Sequence, residues 1–192
     1  MIYIVLEGID NAGKTTIATE LESQISQNGY KVKISKELTT EVGKIVLQSF
    51  KKKERISPEL KTYLFAADRL VRMEKLKHKK LDFVIWDRYI YSAMVYREME
   101  GIDVEWVKSV NAIFKDPDLA YYIDIDPHES LRRGLHANKS CPYTIEELAR
   151  CREIYKRYVD GGNLIEIRSQ AIDMIIKKIM QDLEKYYEKR KS

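Results

Sequence analysis

Residues Gly8-Ile9-Asp10-Asn11-Ala12-Gly13-Lys14-Thr15 fit the pattern G-x-x-x-x-G-K-[ST], and their flanks narrow the fold more than any other stretch. Ile2 to Leu6 is a short apolar run with β-branched residues, which reads as a buried strand. Thr15 to Gln27 then carries Ile17, Ala18, Leu21 and Ile25 at helical spacing. A glycine-bearing loop between a strand and a helix can turn sharply and aim its N–H groups at phosphate oxygens. The helix N-terminus adds partial positive charge. Lys14 is placed to reach β- and γ-phosphates, and the Thr15 hydroxyl to ligate Mg²⁺. Gly8, Asp10, Asn11, Ala12, Gly13, Lys14, Thr15 and Thr16 are therefore candidates for binding a nucleoside triphosphate.

The rest of the chain suits an α/β fold. Strand-like runs at Ile2–Leu6, Tyr30–Ser35, Phe83–Trp86, Leu119–Ile125 and Leu164–Ile167 alternate with helical segments. Ser57-Pro58-Glu59 is a helix start, with Ser as N-cap and Pro at the first helical position, and that helix should run to about Lys79. The last helix, from about Gln170 to Lys189, shows the stripe Ile172, Ile175, Ile176, Ile179, Leu183 and Tyr186. This alternation predicts a three-layer sandwich, an about five-stranded parallel sheet with helices on both faces. Ligands then bind beyond the carboxyl ends of the strands. No linker or repeat breaks the pattern, so residues 1–192 read as one domain.

Composition sets bounds on function. The chain has 192 residues, 44% hydrophobic and 33% charged, with a net charge of +4. That charge is too mild to imply nucleic-acid binding and suits an anionic substrate. No run reaches transmembrane length, and no basic region precedes the first apolar stretch, so neither a membrane span nor a signal peptide is expected. Cys141 and Cys151 form no C-x-x-C, and with three histidines they make no metal-ligand set. A cytoplasmic protein with free thiols is expected.

Three further features fall near strand ends. On the helix after Pro58, an apolar stripe runs through Leu60, Tyr63, Leu64, Ala67, Leu70 and Val71, while Phe65 shares the other face with Lys61, Asp68, Arg69 and Arg72. Phe65 reads either as an incidental exposed aromatic or as a platform for a planar base, with Arg69 donating to a base oxygen. Asp87-Arg88-Tyr89 follows the apolar run Phe83–Trp86. Asp87 is a candidate for holding Mg²⁺ or its water, and Arg88 offers a planar fork for phosphate. Ser92 and Tyr96 share a side with Arg88 if a helix starts near 88. The alternative is a surface ion pair. Finally, residues 132–144 carry Arg132, Arg133, His136 and Lys139 between helical stretches, which reads as a small basic lid or a solvated loop. The helix Ile145–Tyr158 resumes the periodic pattern.

Taken together, these residues resemble the thymidylate kinase family of nucleoside-monophosphate kinases, over nearly the whole chain. Leu64-Phe65-Ala66-Ala67-Asp68-Arg69 looks like the family's thymine-binding helix, Asp87-Arg88-Tyr89-x-x-Ser92 like its second signature, and Asp124-Ile125-Asp126-Pro127-x-x-Ser130-Leu131-x-Arg133 like its lid entry. The resemblance implies transfer of the γ-phosphoryl of Mg-ATP to dTMP by a homodimer. It implies that Asp10 contacts the deoxyribose, Phe65 stacks on thymine, Arg69 bonds a base oxygen, and Arg88 holds the acceptor phosphate. It also implies that Tyr96 disfavours a 2′-hydroxyl. Lys14, Arg88, Arg133 and Arg132 are the candidate catalytic cations, Arg133 first among those of the lid. Asp10, Lys36, Phe65, Arg69, Arg88, Ser92 and Tyr96 are the candidate acceptor contacts, with Thr15 and Asp87 for the metal.

This sequence also departs from the family pattern. Lys36-Glu37-Leu38-Thr39-Thr40 stands where the family has Arg-Glu-Pro-Gly-Gly-Thr, so Lys36 keeps a charge without a fork. Arg97 follows Tyr96 where Gln is frequent. Asn11 and Ala12 leave the phosphate loop without the arginine that some members place there. Two other readings stay open on sequence alone. One is a kinase for another pyrimidine nucleotide or a deoxynucleoside, with Glu37 as base. The other is a GTP-dependent switch, although Asn138-Lys139-Ser140-Cys141 does not complete the guanine signature.

Overall fold

The computed structural model describes residues 1–52, 56–138, 141–168 and 170–191. Five strands are present: β1 (Ile2–Glu7), β2 (Val32–Lys36), β3 (Phe83–Asp87), β4 (Leu119–Asp124) and β5 (Ile165–Arg168). The helices are α1 (Lys14–Gln27), α2 (Glu41–Lys52), α3 (Pro58–Lys77), α4 (Ile90–Met99), α5 (Val104–Asn111), α6 (Pro127–His136), α7 (Ile145–Asp160) and α8 (Ile172–Lys191). Strand order is β2-β3-β1-β4-β5, and every pairing is parallel. The α/β sandwich expected from the sequence is thus the observed architecture. Among the described residues no helix is long and apolar enough to cross a membrane.

Each residue of β1 and β3 is buried, as central strands covered on both faces require. Helix α1 packs on β1, β2, β3 and α8, while α4 packs on α3, α5 and α7. The second strand starts at Val32, two residues after the expected Tyr30, because Tyr30 belongs to the exit of α1. Gly29 takes φ +84° there, and Tyr30 N–H bonds back to the Ile25 carbonyl. Helix α3 begins as expected: Ser57 accepts from Leu60 N–H, and Pro58 fills the first turn.

Helix α3 is rotated from the expected orientation. The apolar positions Leu60, Tyr63 and Leu70 are 51%, 54% and 40% exposed, whereas Asp68, Arg69 and Arg72 are buried. The polar face turns inward because partners await it. Asp68 accepts from Leu38 N–H, Thr40 N–H and Thr40 Oγ1, and pairs with Arg72 at 3.0 Å. The buried Asp68 carboxylate is tolerated because its hydrogen-bonding capacity is met in this way.

The segment read as a lid also differs. Arg132, Arg133 and His136 lie on helix α6, entered through Asp126, which accepts from His128 N–H, and Pro127. Among the described residues of this segment, 137–138 and 141–144 are irregular, and Lys139 falls outside the described residues.

Candidate active site

The phosphate loop joins β1 to α1. Gly8 sits where an added Cβ would lie 2.7 Å from the Ile123 carbonyl oxygen, so the loop can only close against β4 with glycine there. Gly13 takes φ +94° at the start of α1. Lys14 folds back into the loop. Its ammonium donates to the carbonyl oxygens of Gly8, at 3.0 Å, and Ile9, at 2.7 Å. Burial, and then the nearby Arg88 guanidinium, pull its pKa down to about 8.

Thr15 Oγ1 donates to Asp87 Oδ2 at 2.6 Å, so a hydroxyl from the first turn of α1 and a carboxylate from the end of β3 meet at one point. This pair suits Mg²⁺, which keeps most of its ligands as water and phosphate oxygens. Lys36 Nζ stands 3.2 Å from the same hydroxyl and 4.0 Å from Asp87. Among the described residues no cluster of three or more His, Cys, Asp or Glu side chains forms a protein-only metal cage.

Arg88 takes φ +71°, a left-handed conformation unusual for a residue with a side chain. It precedes α4 and does not belong to it, yet it reaches both residues expected beside it. Its guanidinium donates to Ser92 Oγ at 3.2 Å and to Tyr96 Oη at 3.3 Å, and lies 5.1 Å from the Tyr96 ring centroid. It also forms a tight ion pair with Asp10. Behind this group lies a residue the sequence reading passed over. Glu7, fully buried, accepts from Tyr89 N–H, the Ser92 hydroxyl and, at 3.2 Å, the Tyr155 hydroxyl. Burial pushes its carboxyl upward, against the pull of Ser92 and Arg88. The network ties the strained corner after β3 to β1 and α7.

A cavity of about 1170 Å³ joins the phosphate loop to the second site. Asp10 through Thr16, Lys36, Phe65, Asp87, Arg88, Ser92, Tyr96 and Arg133 all line it. Three expected residues do not. Gly8 lies behind the loop. Arg132 points away, its fork on Glu129 at 2.6 and 2.8 Å, and its side chain is 61% exposed. Arg69 is entirely buried and committed elsewhere, donating to Asn111 Oδ1 at 2.5 Å, Glu37 Oε1 at 3.1 Å and the Tyr89 carbonyl at 2.9 Å. Its guanidinium braces the floor of the site and does not face the cavity. Glu37, the candidate base of the rival reading, is held by that same guanidinium.

The model of the family described as thymidylate kinase matches residues 6–179. The chain belongs to the thymidylate kinase family. A probable thymidylate kinase of Staphylothermus marinus is 35% identical over 191 residues, covering 95% of this chain and 92% of its own. One from Pyrococcus horikoshii is 40% identical over 140 residues, covering 68% of each chain. The solved structure of thymidylate kinase from Candida albicans superposes with a TM-score of 0.76 at 20% identity, covering 96% of this chain and 91% of its own, which confirms the fold. Phosphoryl transfer to dTMP is the reaction of thymidylate kinases, and this chain is an enzyme of that kind. The switch reading falls with that assignment.

Viewed as a thymidylate kinase, the chain has a recognisable acceptor wall. Phe65, Tyr96, Arg97 and Tyr143 border one end of the cavity. Tyr96 is buried between the Arg88 guanidinium and the Tyr143 ring, whose centroids are 5.0 Å apart in the ring pair. Burial raises the hydroxyls of both tyrosines, so each remains a neutral hydrogen-bonding group. Cys141, just before Tyr143, donates to Asp10 Oδ2 at 3.6 Å, so the described lid residues meet the acceptor wall directly. Tyr143 was missed because nothing in its local sequence separates it from the other tyrosines of the chain.

Proposed function

We propose that the chain moves the γ-phosphoryl of Mg-ATP onto dTMP in the cytoplasm, as a single P-loop kinase domain. The observation that carries this reading is that one cavity runs from the phosphate loop to Phe65, with the Arg88–Asp10 pair between them. In-line transfer between two phosphates needs both held in place and their charge neutralised. The acceptor oxygen is already anionic, so no strong general base is required. Lys14 supplies charge at the β- and γ-phosphates. Arg88 holds the acceptor phosphate, with Ser92 fixing its fork. Thr15 and Asp87 are the residues that would hold Mg²⁺, which neutralises the triphosphate when bound. Phe65 stacks on the base, Asp10 faces the sugar, and the Tyr96 ring fills the space a 2′-hydroxyl would need. Of the two α6 arginines, Arg133 is the one facing the cavity and so the lid cation we assign to transfer. Lys36 adds charge beside Thr15.

The test is ADP release with Mg-ATP across dTMP, dUMP, UMP, CMP, AMP, GMP and thymidine. The expected outcome is a dTMP kcat/KM well above the others, with no turnover of thymidine. Preferential turnover of thymidine would instead favour the deoxynucleoside kinase, with Glu37 freed from Arg69 as base.

We also propose that the enzyme is a homodimer through α3. Leu60, Tyr63 and Leu70 form an outward apolar face, and Ile45 on the adjoining α2 is 52% exposed. Exposed apolar clusters of this kind mark association surfaces. Sedimentation should report two chains for the wild type and one for Leu70→Glu. A wild-type monomer at micromolar concentration would refute the dimer.

A further inference from the structure

Arg88 stands between two carboxylates, and the mechanism above uses only one of them. Asp10 meets the guanidinium from the cavity side, with its side chain 28% exposed. Glu7, the last residue of β1, lies behind it and is fully buried. The partners of Glu7 fix its hydrogen-bonding sense. Tyr89 N–H reaches Oε1 at 3.0 Å and can only donate. Arg88 Nη1 donates to Ser92 Oγ at 3.2 Å, so the Ser92 hydroxyl takes that bond on its oxygen and turns its one proton to Glu7 Oε2. The Tyr155 hydroxyl, from α7, donates to the same carboxylate oxygen at 3.2 Å and lies 2.9 Å from Ser92 Oγ. The hydrogen bonds of this network therefore run toward Glu7. An ionised carboxylate receives them at both oxygens without presenting a donor of its own.

We infer that Glu7 is a positioning residue for phosphoryl transfer, which sets the direction of the Ser92 hydroxyl and the corner at Tyr89 and so aims the Arg88 fork at the acceptor phosphate. This rests on the dTMP reading above. The backbone contact matters as much as the charge. Arg88 takes φ +71°, a conformation that costs energy for a residue with a Cβ. Both peptide groups flanking it are clamped: Arg88 N–H bonds the Leu6 carbonyl at 3.1 Å, and Tyr89 N–H bonds Glu7. The two carboxylates divide the electrostatic work. A phosphate entering the cavity competes with Asp10 for the guanidinium. It cannot displace Glu7, because Ser92 lies between that carboxylate and the fork. Glu7 is thus the counter-charge that stays with Arg88 before and after the acceptor arrives.

The experiment measures steady-state kinetics on dTMP and ATP for wild type, Glu7→Gln, Arg88→Met and the double variant. Glu7→Gln is close to isosteric. Its oxygen can still accept from Tyr89 N–H, but its amide then presents a donor to Ser92, which already accepts from Arg88. Glu7→Gln should lower dTMP kcat/KM by about tenfold or more, the scale of a lost hydrogen bond to a charged group, with the ATP KM within about threefold. In the Arg88→Met background the same substitution should lower dTMP kcat/KM by less than about threefold, because the residue it acts through is gone. A purely structural Glu7 predicts otherwise. Gly8 of the phosphate loop follows it directly, so the ATP KM would shift as much as the dTMP KM, and the two losses would multiply in the double variant. Either result overturns the inference, as does wild-type dTMP kcat/KM in Glu7→Gln. Should Glu7→Gln fail to fold, Glu7→Asp is read by the same cycle. It keeps the charge one methylene short of Ser92, so a loss is expected in the wild-type background and none beside Arg88→Met. Failure of the wild type to phosphorylate dTMP in the same assay would instead remove the dTMP reading, and this inference with it.

Discussion

Lys14→Ala is expected to lower kcat by about 10³-fold, the upper range for removing one preorganised donor from a transition state. The ammonium is already fixed by the carbonyls of Gly8 and Ile9, so little reorganisation remains when a triphosphate arrives. Its charge acts on oxygens that gain charge during transfer, which is why the loss should fall on kcat more than on KM. dTMP binding should change little, because Phe65, Arg88 and Tyr96 are separate contacts. The lowered pKa of Lys14 adds a second signature. In the free enzyme a value of about 8 means the amine is largely neutral above that pH. A bound triphosphate favours the charged form and raises the pKa. ATP binding above about pH 8 should therefore take up a proton, by linkage. Calorimetry in buffers of different ionisation enthalpy measures that uptake, and it should vanish in Lys14→Ala. Wild-type turnover in the mutant would remove the phosphate loop from the mechanism.

The fold was legible because its determinants are local. Buried parallel strands announce themselves as apolar runs, and Ser57-Pro58 marks a helix start with stereochemistry that tertiary contacts do not override. The phosphate loop was legible for the same reason. What failed was orientation. Helix α3 carries enough apolar residues for periodicity to nominate Leu60, Tyr63 and Leu70 as its inner face, yet the partners of Asp68, Arg69 and Arg72 lie on β2, the loop after it, α5 and the corner after β3. Periodicity senses hydropathy and not what a distant element offers to a buried charge. The same blindness hid Glu7, whose donors lie at positions 89, 92 and 155. A glutamate ending an apolar strand beside a phosphate loop was the available signal: a carboxylate in that place must be buried, and so must be paired. Arg132 and Arg133 could not be ranked by the cavity from sequence, because they are neighbours on α6, and only the helix's rotation decides which faces the site.

Arg88 carries the other large expected effect. The residue is held from three sides: its N–H bonds the Leu6 carbonyl at 3.1 Å, its φ is +71°, and its guanidinium spans Asp10, Ser92 and Tyr96. Strain of this kind persists where the surroundings over-determine it. Here it aims a fork toward the cavity between the phosphate loop and Phe65. Arg88→Met should lower kcat/KM for dTMP by about 10²–10³-fold, from the loss of two charged hydrogen bonds and from an Asp10 carboxylate left facing a phosphate. Arg88→Lys restores the charge but not the fork or the contact with the Tyr96 face, so a loss of about tenfold or more should remain. The ATP KM should stay within about threefold in both, by the additivity of separated sites. Arg88→Gly gives a control for folding. It removes the same guanidinium but relieves the left-handed strain, so it should melt no lower than Arg88→Met while being as inactive. If Arg88→Met keeps dTMP kcat/KM within threefold of wild type, the acceptor phosphate is held elsewhere, and Lys36, the remaining cation beside Thr15 and Asp87, becomes the residue to test.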